Sequence, residues 1–142
     1  MPVDVLFEDV ASFEVQAEFL EDSISELLST KGKHFGDISL VFCSDAYILA
    51  VNNQYLDHDY YTDIITFDYC DGDVVSGDLI ISVDTVMSNS ELYGSAYHVE
   101  LFRVVLHGVL HLCGLGDKSE DESLEMRAAE DHFLSVLSNP FL

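Results

Sequence analysis

The spacing of hydrophobic and polar positions predicts four strands and five helices in a mixed order. Apolar and polar residues alternate from Val3 to Asp9, which is typical of a half-buried strand. Apolar residues recur at helical spacing across 16–29, and Gly32 and Gly36 follow that segment. The other predicted strands cover 38–45, 62–70 and 74–83, and the other predicted helices cover 45–56, 85–93, 96–113 and 119–137.

The order of these elements favours the α+β class, because strands and helices mix without a strict strand–helix–strand repeat. The sequence Asp-Gly-Asp separates 62–70 from 74–83, so these two strands are expected to pair through a turn. Ser119 followed by Glu122 predicts a capping box at the last helix. No repeat or Pro/Ser-rich linker interrupts the sequence, and 142 residues fit one unit, so we predict a single domain over 1–142.

Charge limits what the protein can bind. The chain has 27 acidic residues against five Lys and Arg, which gives a formal net charge of −22. So few cations cannot form a basic patch, and we expect neither DNA binding nor a sequence-independent grip on a phosphate backbone by this chain alone. The charge favours basic proteins, cations or a nucleic acid presented by another molecule. The basic residues are Lys31, Lys33, Arg103, Lys118 and Arg127.

Cysteine use and hydropathy indicate a cytoplasmic protein. Cys43, Cys70 and Cys113 form no CxxC pair and lie among apolar residues, which is typical of reduced, buried thiols. The first ten residues are acidic where a secretion signal needs basic ones. The most apolar run, 101–115, contains Arg103 and two histidines and is too short to span a bilayer, so no membrane partner is expected.

The segment HGVLHLCGLGD, residues 107–117, combines potential metal ligands with glycines. On a helix, His107 and His111 lie on one face with β-carbons about 6 Å apart, so both can bind one ion. Gly114 suits the left-handed position at a helix end, and a bend there would bring Asp117 back over the last turn. Two imidazoles and a carboxylate that leave one position open are typical of a catalytic zinc site.

Other interpretations of this segment stay open. Histidines on a Leu-rich helix are often ordinary core or surface residues, and their spacing alone does not exclude this. The zinc-protease pattern HExxH carries its general base directly after the first histidine. Gly108 occupies that position here, which disfavours a protease. We expect Gly108 to leave space beside the metal for a bulky ligand or an approaching backbone.

The same segment resembles the HGxLHLxGYDH signature of the YbeY family of endoribonucleases that act in rRNA maturation. Residues 51–69, VNNQYLDHDYYTDIITFDY, resemble the family segment N-x-x-F/Y-R-x-x-D-x-x-T-D/N-V-L-S-F. Residues 76–82, SGDLIIS, resemble its GDI-x-I/V-S strand. Met126 and Glu130 match the M-x-x-x-E of its last helix. These matches occur in the family's order, so the resemblance is specific.

The resemblance implies an α+β, zincin-like fold, in which helices cover a small mixed sheet of about four strands. It also implies one Zn²⁺ per chain, or Mn²⁺ or another divalent ion, bound by His107, His111 and Asp117. The chain departs from the family at two positions. The third family ligand is usually His where Asp117 stands, a change that zinc tolerates and that favours harder ions. Leu56 replaces the family's arginine. We assign the catalytic role of proton transfer or phosphate contact to His58. Arg103 is the alternative replacement for the family's arginine if it faces the cleft.

We therefore expect a metal-dependent hydrolase domain that cleaves single-stranded RNA or rRNA during ribosome maturation and quality control, with the ribosomal subunit or basic ribosomal proteins as partners. The net charge keeps a second hypothesis open, an acidic ribosome-associated assembly factor whose metal is mainly structural. A hydrolase of small molecules is a third, since three ligands do not specify a substrate. Of the neighbouring residues, Glu130 is expected either to orient a ligand or to cap the helix, and Asp63 has either a cleft or a structural role. Tyr60 and Tyr61 either stack on bases or close the core.

Overall fold

A computed structural model describes residues 3–56 and 62–142, and in these residues the chain forms four strands and five helices. The strands form one sheet of order β1-β2-β4-β3. The elements are β1 (Val3–Glu8), α1 (Ala17–Thr30), β2 (His34–Cys43), α2 (Asp45–Leu56), β3 (Ile64–Asp68), β4 (Val74–Ser82), α3 (Val83–Tyr93), α4 (Tyr97–Leu112) and α5 (Glu120–Val136).

The sheet is mixed, as the sequence predicted. β1, β2 and β4 run parallel, whereas β3 pairs with β4 in the antiparallel direction and forms one edge. The expected pairing of the third and fourth strands is confirmed, with Ile65 opposite Ile80. The turn between them contains Gly72 at φ +58°, a backbone conformation that glycine adopts without steric cost. The fold class is therefore α+β.

Alternate side chains of the sheet point to opposite faces, and each face is covered by helices. Leu40 and Phe42 of β2 lie in the main core with residues of α1, α4 and α5. Val41 and Cys43 point to the other face, where Ile48 of α2 packs against them. The main core therefore fixes α4, the helix that carries both histidines, against the sheet.

Gly108 lies where α4 approaches the sheet most closely. A β-carbon at this position would lie 2.8 Å from Cδ1 of Ile64 and 2.9 Å from Cδ1 of Leu79. Contacts this short are repulsive, so a larger residue here would force the Ile64 and Leu79 side chains to shift or the helix to move away from β3 and β4. The expectation that Gly108 leaves space beside a metal is wrong, because the space is filled by the sheet.

The predicted helices start and end within about two residues of the observed ones, a usual uncertainty for helix ends. β2 begins at His34, four residues earlier than 38–45 would have it. The sequence KGKHFGD indicated only a turn, but the His34 N–H donates to the Asp73 carbonyl at 2.8 Å, and a bulge follows Phe35. Long-range pairing therefore extends this strand. In the described part of the chain, no helix is both long and apolar enough to cross a membrane.

Candidate active-site cleft

The end of α4 reverses the chain and returns it toward the helix. Gly114 adopts φ +104°, and its N–H donates to the His111 carbonyl at 3.0 Å. The Leu115 N–H donates to the Leu110 carbonyl at 3.1 Å, which completes a Schellman motif. The expected left-handed glycine at this helix end is confirmed. The same turn places the Leu115 carbonyl 3.2 Å from Nδ1 of His111.

His107 lies between two carboxylates that come from different parts of the chain. Its Nδ1 is 2.8 Å from Oε2 of Glu130 on α5, and its Nε2 is 3.3 Å from Oδ2 of Asp117, which follows the α4 turn. The hydrogen bond to Glu130 raises the pKa of His107, while burial opposes this effect and the charges of Glu130, Asp63 and Asp117 add to it. When the ring is neutral, donation from Nδ1 to Glu130 leaves the Nε2 lone pair directed to the Asp117 side.

Glu130 is in turn held by Arg103, one turn before His107 on α4. Nη1 of Arg103 lies 3.1 Å from Oε1 of Glu130, and Nη2 lies 2.8 Å from Oδ1 of Asp131. The Glu130 side chain is only 6% exposed, so this charge requires its partners. Arg103, the alternative to His58 as a replacement for the family's arginine, does line the cleft, but its guanidinium pairs with acids of α5 and, at 3.9 Å, with Glu100.

The pair formed by His107 and Asp117 has the spacing that a metal ion requires. Two ligands of a tetrahedral zinc ion, each about 2.1 Å from it, lie about 3.4 Å apart. The 3.3 Å between Nε2 and Oδ2 matches this separation. Hydrogen bonds from the far ring nitrogen to a carboxylate or a carbonyl commonly orient metal-binding histidines, and Nδ1 of both His107 and His111 has such a contact. The donor set and its supports therefore fit a divalent ion.

The structure does not gather all three predicted ligands into one cluster. Across residues 3–56 and 62–142, no three His, Cys, Asp or Glu side chains lie close enough together to hold an ion as they stand. His107 and Asp117 are in contact, and His111 lies one turn further along α4 with an exposed side chain. The ligand set of His107, His111 and Asp117 stays a prediction.

A cleft of about 280 Å³ opens beside this pair. Its wall includes four carboxylates, from Asp63, Glu100, Asp117 and Glu130. Burial raises the pKa of Asp63, which precedes β3, and the charge of His107 opposes that rise. Asp63 therefore belongs to the cleft, which was one of its two expected roles.

Other expected residues lie elsewhere. His58, Tyr60 and Tyr61 fall outside the described residues. Asp78, a further acid of the sheet, accepts a hydrogen bond from the Tyr69 hydroxyl at 3.2 Å and does not line this cleft.

Several cleft residues did not emerge from the sequence. Ser123 and Arg127 line the cleft from α5, and Asn89 and Tyr93 line it from α3. One available signal was helical spacing, because positions 123, 127 and 130 fall on one face of a helix and Glu130 was already a candidate. For α3 the sequence carries no comparable signal, since only the packed fold brings this helix to the site.

Comparisons with known proteins agree with the observed fold. The solution structure of TM1509 from Thermotoga maritima matches 94% of this chain and 87% of its own, with a TM-score of 0.64 and 24% sequence identity. This likeness supports the zincin-like α+β fold predicted from the sequence.

Sequence comparisons are more specific. The family model described as Endoribonuclease YbeY matches residues 7–138. A protein named Endoribonuclease YbeY from Phocaeicola vulgatus is 56% identical over 115 residues, which are 81% of this chain and 83% of that protein. The protein of the same name from Bacteroides thetaiotaomicron is 48% identical over 136 residues, or 96% of this chain and 99% of that one. The chain therefore belongs to the YbeY endoribonuclease family.

Proposed function

We propose that this chain is a metal-dependent endoribonuclease that cleaves single-stranded RNA in ribosomal RNA maturation and ribosome quality control. The observation that carries the proposal is the arrangement of His107 between Glu130 and Asp117 at the wall of a cleft. Relatives at 48–56% identity are named endoribonucleases, which supports RNA as the substrate. The whole of 1–142 acts as a single hydrolase domain in this proposal.

The proposed ligands of the ion are His107, His111 and Asp117, with one Zn²⁺ per chain or Mn²⁺ in its place. When bound, such an ion supplies Lewis acidity, which activates water and neutralises charge that develops on the phosphate. Glu130 accepts the Nδ1 hydrogen of His107 and so holds the ring in the tautomer that presents Nε2. The Leu115 carbonyl supports His111 in the same way.

Proton transfer is assigned to two residues. Asp63 lies in the cleft, and its raised pKa makes its carboxylate a better proton acceptor than an exposed aspartate. His58 remains our proposed second group, for proton transfer or phosphate contact, because an imidazole can both donate and accept a proton.

The proposed setting is the cytoplasm, with the ribosomal subunit or basic ribosomal proteins as partners. Cys43, Cys70 and Cys113 are all free thiols, which fits a reducing compartment. The net charge of −22 fits association with basic proteins.

The test uses purified protein that has been treated with a chelator and reloaded with Zn²⁺ or Mn²⁺. Its substrates are a labelled single-stranded oligoribonucleotide and the same strand in a duplex. We expect cleavage of the single strand that depends on the added metal and disappears in His111→Ala. His132→Ala, which removes an exposed histidine of α5, is the matched control and is expected to cleave normally. Metal-independent cleavage, or full activity in His111→Ala, would overturn the proposal.

The net charge also favours a second candidate function, an acidic assembly factor whose metal is mainly structural. It predicts salt-sensitive binding to ribosomal proteins. It also predicts that the rigorously purified protein does not cleave RNA. The same cleavage assay therefore separates the two candidates.

A further inference from the structure

The cleft presents an electrostatic problem for an RNA substrate. Four carboxylates line it, and the chain has only five Lys and Arg residues in total, all within the described residues. Any phosphodiester that reaches His107 must therefore be held near these four carboxylates, which repel it. The position of each cation then decides which of them can receive a phosphate.

Four of these cations are placed elsewhere or already paired. Arg103 is 14% exposed and contacts three acids. Lys33 pairs with Asp73 at 3.4 Å and does not line the cleft. Lys31 and Lys118 are exposed and do not line the cleft.

Arg127 differs from the other four because it lines the cleft and keeps much of its guanidinium accessible. Its side chain is 56% exposed, and its contact with Oε1 of Glu130 is long, at 4.0 Å. Glu130 already has a shorter partner in Arg103, at 3.1 Å. An exposed, long ion pair contributes little to the stability of the protein. Arg127 can therefore leave Glu130 and bind a phosphate with little loss of free energy.

Tyr93 lies on the same cleft, at the last residue of α3. Its side chain is 61% exposed, so its ring is accessible to a ligand in the cleft. Gly94 follows with φ +68° and ends the helix, so the ring stands at the helix end. Aromatic rings placed in this way stack on unpaired bases with little sequence preference.

We infer that Arg127 and Tyr93 form the RNA-binding rim of the cleft, in which the guanidinium contacts a phosphate beside the scissile one and the phenol ring stacks on a base. This inference rests on the proposed function and names residues of this chain that bind its substrate. Arg127 and Tyr93 bind substrate in this inference, and neither is a proposed metal ligand. A duplex has no unstacked base to offer, so the rim selects single strands.

The test measures binding of a labelled, single-stranded 2′-O-methyl oligoribonucleotide to metal-loaded protein by fluorescence anisotropy over a series of salt concentrations. Loss of one phosphate contact lowers the slope of log affinity against log salt by about 0.7 for a single strand. We expect this change in Arg127→Gln, with affinity about tenfold weaker, as for a charge-assisted hydrogen bond. Lys31→Gln removes the same charge away from the cleft and is the matched control, expected to keep the wild-type slope.

The stacking contact has its own variants. Tyr93→Ala is expected to weaken binding about tenfold, whereas Tyr93→Phe keeps the ring and the affinity. Bound metal is measured in every variant, and we expect wild-type stoichiometry, because neither residue is a proposed ligand. In cleavage assays of the natural RNA, Arg127→Gln raises KM more than it lowers kcat.

The outcomes separate this inference from the proposed function. If wild-type protein cleaves RNA but Arg127→Gln keeps the salt slope of Lys31→Gln, the rim is wrong and the endoribonuclease activity stands. Equal losses in Tyr93→Phe and Tyr93→Ala would exclude stacking. If the wild-type protein neither binds nor cleaves RNA, the proposed function and this inference are both overturned.

Discussion

Replacement of Glu130 by Gln tests how the cleft orients His107, the proposed metal ligand. Glu130 is 6% exposed and contacts both His107 and Arg103, with Oε2 2.8 Å from His107 and Oε1 3.1 Å from Arg103. Gln keeps the size and one acceptor of the side chain but removes its charge. The substitution therefore weakens the orientation of His107 and leaves Arg103 with Asp131 and Glu100 as partners.

Two magnitudes follow from this geometry. Loss of a supporting carboxylate behind a metal-binding histidine typically weakens metal affinity by about 10- to 100-fold. Loss of one buried, charge-assisted hydrogen bond lowers the free energy of unfolding by about 1–3 kcal/mol. Because Glu130 is buried, little solvent screens its contacts with His107 and Arg103. We therefore expect the loss of unfolding free energy to lie in the upper part of this range.

The assays are competition with a chromophoric zinc chelator for affinity, and urea unfolding of the metal-free protein for stability. Glu125→Gln provides the matched control, because Glu125 is an exposed residue of the same helix and loses the same charge. We expect both effects in Glu130→Gln and neither in Glu125→Gln. Equal zinc affinities in the two variants would refute the claim that Glu130 orients His107.

Three further predictions concern stability. In metal-free protein the pKa of His107 is raised, chiefly by the hydrogen bond to Glu130. The protonated His107 therefore stabilises the folded state fully below about pH 6.5, and this contribution is lost as pH rises through the folded pKa. Urea unfolding should show this loss in wild type and less of it in Glu130→Gln; identical pH profiles would contradict the assignment. Burial raises the pKa of Cys43 to about 12 from 9.0, so across that interval unfolding free energy should fall by about 1.4 kcal/mol per pH unit relative to Cys43→Ala. A matching slope in the two proteins would count against a protonated native thiol. Gly108→Glu should lower the free energy of unfolding by more than about 3 kcal/mol, because it forces a charge against the Leu79 side chain. Wild-type stability in this variant would contradict the close packing of Gly108 on the sheet.

Much of the fold was predictable because local patterns agree with it. Alternation of apolar and polar residues identified the first strand, short runs of β-branched and aromatic residues indicated the others, and helical spacing identified the helices. The predicted capping box is present, with the Ser119 hydroxyl accepting from the Glu122 N–H at 3.1 Å and the Glu122 side chain accepting from the Ser119 N–H. The early start of β2 at His34 was not predictable, because it depends on pairing with Val74, forty residues away in the sequence.

The site was predictable in part for the same reason. His107, Gly114 and Asp117 are close in sequence, and the helix end that joins them has strong local signals. The surroundings are set by packing between distant elements. The pairing of Arg103 with α5 and the orientation of Gly108 toward the sheet both depend on how α4 lies on its neighbours. Local patterns therefore identified the candidate ligands and Glu130 beside His107, but not the partners of Arg103 or the packing of Gly108.

The central claim is that His107, His111 and Asp117 bind one catalytic metal ion. Metal content per chain of wild type, Asp117→Ala and Asp117→His, measured after purification and dialysis, tests it most directly. We predict about one ion per chain in wild type, its loss in Asp117→Ala and its retention in Asp117→His, because imidazole and carboxylate bind zinc at similar lengths. Undiminished metal in Asp117→Ala would contradict the claim.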